Sequence, residues 1–79
     1  MDVVHLIYEV IKDAAKRMLI SDRAAHPVLA SEAGMEVARL VAGAGYGEKG
    51  AHEVAAWAIR ETGRLHATME RLRAGKALG

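Results

Sequence analysis

Histidine and glutamate stand four residues apart twice in this chain, at His5 and Glu9 and again at His66 and Glu70. On a helix that spacing puts an imidazole and a carboxylate on one face, where they can reach a common metal ion. Two ligands fall short of a site. His52 shares the azimuth of His66 but lies about 21 Å from it along a helix axis, a gap only a second subunit would bridge. The Glu-x-x-His pairs of carboxylate-bridged diiron bundles are missing. The plainer reading makes these histidines solvated or capping residues. Arginine and histidine together can hold a phosphate and move a proton, yet Arg60 sits about 120° around the helix from His66. Gly45, Gly47 and Gly50 satisfy G-x-G-x-x-G, but a helical pattern precedes them where the dinucleotide fingerprint needs a strand. The Lys-Ser/Thr ending of a phosphate-binding loop is also absent, because Ala51 follows Gly50. No Ser/His/Asp set, thiol nucleophile or paired-carboxylate arrangement is recognisable. The expectation is therefore a protein without catalytic residues, resident metal or cofactor, in which the glycines link helices.

Two features suit recognition better than catalysis. Arg60, Arg64 and Arg71 recur on one side of a helix, and Arg73 follows them, so phosphate contact is the chemistry this cluster offers. Trp57 stands about 60° outside the apolar seam, where a large ring meets either a second helix or a partner. The first helix is the expected neighbour, since its apolar arc is too wide for one contact. Tyr46, in the glycine link, is expected to close the end of the bundle.

These groups are carried by a helix expected over residues 48–74. Ala51, Ala55, Ala58, Thr62, Leu65, Met69 and Leu72 alternate in steps of four and three, and Val54 and Ile59 widen the seam. The core of that pattern, residues 48–73, would span roughly 39 Å, longer than a folded domain of this size, so its last third lacks cover from its own chain. Leu65, Met69 and Leu72, with Trp57 and Ile59, are accordingly the expected interface of a homodimer or higher oligomer. Another protein is a second possible occupant, and nucleic acid on Arg60, Arg64, Arg71 and Arg73 is the alternative.

Two earlier helices complete the expected fold. Asp2 can cap a helix over residues 2–20, in which Val3, Val4, Leu6, Ile7, Val10, Ile11, Ala14, Ala15, Met18 and Leu19 cover an arc of roughly 220°. Asp13 with Arg17 and Glu9 with Lys12 are helical-neighbour ion pairs on the other side. Residues 21–27 break the pattern before Pro27, with room for one helical turn. Leu29, Ala33, Val37, Leu40 and Val41 then mark a second helix over residues 28–43, weakened by Gly34 at about 1 kcal/mol relative to Ala. Four glycines in residues 43–50 stop it, and the tail 75–79 is expected to fray. The result is one all-α domain over residues 1–79, a three-helix bundle running up, down, up, with a domain-swapped or intertwined dimer as the alternative because the glycine link lets the third helix leave its own bundle.

Composition says why a second copy is expected. Sixteen alanines, no phenylalanine and no cysteine in 79 residues give a core of low volume with no covalent staple. The net charge of +1 hides a division, with residues 1–20 neutral, residues 21–59 at −2 and residues 60–79 at +3. The opening MDVVHLIYEV has no basic leader region and no apolar run approaches 18 residues, so a cytoplasmic protein with no membrane partner is expected.

Overall fold

The computed structural model describes residues 2–78, with side chains through Lys76, and is helical almost throughout. Helix α1 spans Val3–Leu19, a single 3-10 turn spans Arg23–Ala25, α2 spans His26–Gly43 and α3 spans Gly47–Leu78. No strand occurs among the described residues.

Each boundary has a local cause. Asp2 is extended, at φ −70° and ψ 132°, and its Oδ1 accepts from the Val4 amide at 3.2 Å, so α1 starts on a side-chain cap as expected. At its other end the Ser21 hydroxyl donates to the Arg17 carbonyl at 2.6 Å. The second helix begins two residues earlier than expected from Pro27. A residue before proline is normally pushed out of the helical region, yet His26 is helical at φ −58°, ψ −46°. Its ring is held in place by the Met18 carbonyl, 2.8 Å from Nε2. At the end of α2, Gly45 takes φ +93° and lets its own amide reach the Ala42 carbonyl at 3.0 Å while Tyr46 reaches Val41 at 3.3 Å. That pair of bonds is the left-handed glycine stop, which satisfies carbonyls the helix would otherwise orphan.

Side-chain pairings fix the topology. Tyr8 of α1 meets Trp57 of α3, with ring centroids 5.9 Å apart and planes at 88°. Toward the other end, His26 bonds Met18 of α1 and lies against His66 of α3. Rising numbers on α1 thus match rising numbers on α3, while Gly34 opposite Ile59 and His26 opposite His66 run α2 the other way. The three helices run up, down, up. Their core holds Ile7, Ile11, Val37, Val41, Ala51 and Ala58, with Trp57 and Leu65 among the half-buried residues packed on it.

The third helix departs furthest from expectation. In place of a frayed tail it runs through Leu78, with Gly79 outside the described residues. Thirty-two helical residues make a rod of about 48 Å. The molecule measures 46 × 26 × 15 Å, so α3 sets its long dimension. The radius of gyration of 13.6 Å exceeds the roughly 12 Å of a compact chain of this length. From residue 70 to residue 76 every side chain is exposed. This stretch projects past the corner where α1 ends and α2 begins.

Candidate functional site

Three places bring together residues with chemistry to offer: a histidine corner, a groove between α1 and α2, and the projecting end of α3.

At the corner, His66 is buried, at 9% exposure, where the sequence suggested solvent. It stands four residues beyond Thr62, whose hydroxyl is itself buried and donates to the Ala58 carbonyl at 2.8 Å. Both therefore belong to the inner face of α3. The His66 ring meets His26 edge-on, with centroids 4.7 Å apart and planes at 71°. Its Nε2 lies 3.3 Å from Glu70 Oε1, close enough for charge attraction but not aligned for a hydrogen bond, and no other partner reaches it among the described residues. The His26 Nε2 donates to the Met18 carbonyl, so that ring serves as a cap on the last turn of α1. No group of three or more His, Asp or Glu side chains is gathered closely enough to hold a metal ion among the described residues. His5 is exposed beside Glu9, at 3.8 Å, and His52 is exposed.

Between α1 and α2 lies an open groove of about 410 Å³. Leu6 and Val10 from α1 and Leu29 and Leu40 from α2, all half-buried, give it an apolar floor. Its rims are acidic, with Glu9 and Asp13 on one side and Glu32 and Glu36 on the other. Arg17 is the sole base lining it among the described residues, and Asp13 holds that guanidinium at 3.1 Å. Glu9 faces Lys12 at 3.5 Å. Glu32 and Glu36 have no ion-pair partner among the described residues, although they are like charges four apart on one helix. Nothing in the sequence joined these four carboxylates, since each looks like part of a solvated helix face until α1 and α2 are laid side by side.

The expected interface residues on α3 divide. Trp57 and Leu65 are occupied within the protein's own bundle. Ile59, 39% exposed, lies over Gly34, and Met69 is half-buried. Leu72 stands free at 65% exposure. Arg60, Arg64, Arg71 and Arg73 are all exposed. Arg64 is held by Glu61 at 3.0 Å and Arg71 donates to the Thr68 hydroxyl at 3.3 Å. Tyr46 does not close the bundle end; it is 67% exposed.

No protein-family model, curated protein or solved structure matches this chain. No helix among the described residues is long and apolar enough to cross a membrane.

Proposed function

We propose that this protein is a non-enzymatic helical interaction module that works as a homodimer, joined through the end of α3 that projects from its own bundle. One observation carries the reading. Residues 70–76 are exposed on every side, Leu72 included, in a helix whose earlier turns bury Ala58, Thr62 and His66 along the same face. An isolated helical end of this length is marginal in water, and tertiary contact is what normally sustains it. A second copy supplies that contact with no other component.

The test is sedimentation of the intact chain over a range of concentrations. The wild-type protein is expected to dimerise, and Leu72→Glu is expected to remain folded but sediment as a monomer, because Leu72 contributes nothing to the monomer's core. A wild-type protein that stays monomeric at the highest attainable concentration would sink the reading.

The exposed arginines support a second reading, a dimeric regulator that sets Arg60, Arg64, Arg71 and Arg73 on nucleic-acid phosphates. Counterion release would make such binding fall steeply with added salt. Absence of binding to duplex DNA or RNA at low salt removes it.

A further inference from the structure

We infer that the α1/α2 groove is the receiving surface for the projecting end of α3 from a second copy of this chain, so that two protomers exchange arms. The inference rests on the homodimer reading and says where the arm lands.

Length is the first argument. Residues 67–78 form an arm of about 18 Å, and the groove runs along residues 6–17 of α1 and 29–40 of α2, also about 18 Å on each. The arm fills the groove without overshooting it.

Charge is the second. The face of α3 that is apolar inside its own bundle changes character where it leaves. Counted at 100° per residue, Met69, Leu72, Arg73 and Lys76 continue the azimuth of Ala58 and Thr62, so the buried stripe becomes a pair of leucine-like contacts flanked by two cations. Neither Arg73 nor Lys76 has an ion-pair partner among the described residues. The groove offers the complement, with an apolar floor for Met69 and Leu72 and the unpaired Glu32 and Glu36 on its rim. A like-charged pair four apart on a helix gains most from a cation brought by another chain. Arg71 and Arg60 point away from this face and take no part.

Closure is the third. The groove is lined by α1 and α2 alone, so it opens on the side of the bundle away from α3, while the arm leaves α3 at the end where α1 stops. Two bundles set end to end about a twofold axis therefore each pass an arm back along the other's open groove. The contact is isologous and closes at two copies.

The experiment uses two charge-reversed forms of the intact chain, Glu32→Lys with Glu36→Lys and Arg73→Glu with Lys76→Glu, each confirmed as folded by its helical circular dichroism. All four positions are exposed, so the bundle tolerates the changes. Each form alone is expected to dimerise at least about tenfold more weakly than wild type. An equimolar mixture is expected to recover association, because the basic arm of the first form meets the acidic groove of the second and the acidic arm of the second meets the basic groove of the first. If both forms dimerise as wild type does, the groove is not the receptor, while the homodimer reading survives. If each is weakened and the mixture does not recover, these groups do not meet and the arm exchange is overturned. A monomeric wild type overturns the homodimer reading itself.

Discussion

A methyl group at position 34 would sit 2.7 Å from Ile59 Cγ1 and 2.8 Å from its Cδ1. Glycine is therefore what lets α2 approach α3 at this level, with the Ala55 carbonyl 3.4 Å from the same point. Two terms oppose each other in Gly34→Ala: about 1 kcal/mol of helix propensity gained, and the overpacking cost of displacing a β-branched side chain, typically 1–3 kcal/mol. The second is expected to win, leaving the variant less stable by about 1 kcal/mol in urea unfolding. In an Ile59→Ala background the same substitution is expected to stabilise, and a double-mutant cycle that finds the two changes additive would refute the contact. From the sequence, Gly34 looked like a cost alone, because a missing side chain leaves no trace in a periodic pattern. His66 is hard to place from sequence for a related reason. Its pairing with Glu70 points to solvent, while only its spacing of four from Thr62 points to the inner face.

Helix α3 contains a contrasting glycine. Gly63 is exposed in mid-helix and a Cβ there meets nothing within 4 Å. Gly63→Ala should stabilise the protein by up to about 1 kcal/mol, raising Tm by roughly 4–8 °C. A fall in Tm on this substitution would show that the position is covered in solution. The elements themselves were largely legible: the four-and-three spacing of Ala51 through Leu72 and the breadth of apolar residues on α1 set three helices and the neighbour of Trp57. Their ends were less so. Pro27 argued for a later start to α2, because the bond from His26 to Met18 that holds the preceding residue helical joins positions eight apart across a turn. The seam of α3 also points to Leu65 as an outer contact, whereas that side chain is half-buried against the protein's own core.

Taken together, the bundle and its arm have separate energetics. Val37 is fully buried at the centre, so Val37→Ala should cost about 2 kcal/mol at every protein concentration. In the proposed dimer, Tm rises with concentration, and Leu72→Glu should abolish only that part, which belongs to association. Calorimetry at two concentrations distinguishes them, and equal loss in both variants would contradict the division. The charge asymmetry between residues 21–59 and 60–79 was visible in the sequence. The acidic rim itself was not legible there, because it exists only once α1 and α2 lie antiparallel, side by side.

Trp57 is the sole indole in the chain, and it rests against Tyr8 about 22 Å along the helix from Leu72. Its ultraviolet emission should therefore follow the parting of α1 from α3 and remain indifferent to whatever Leu72 touches. Unlabelled protein thus carries its own optical gauge of whether the bundle is closed.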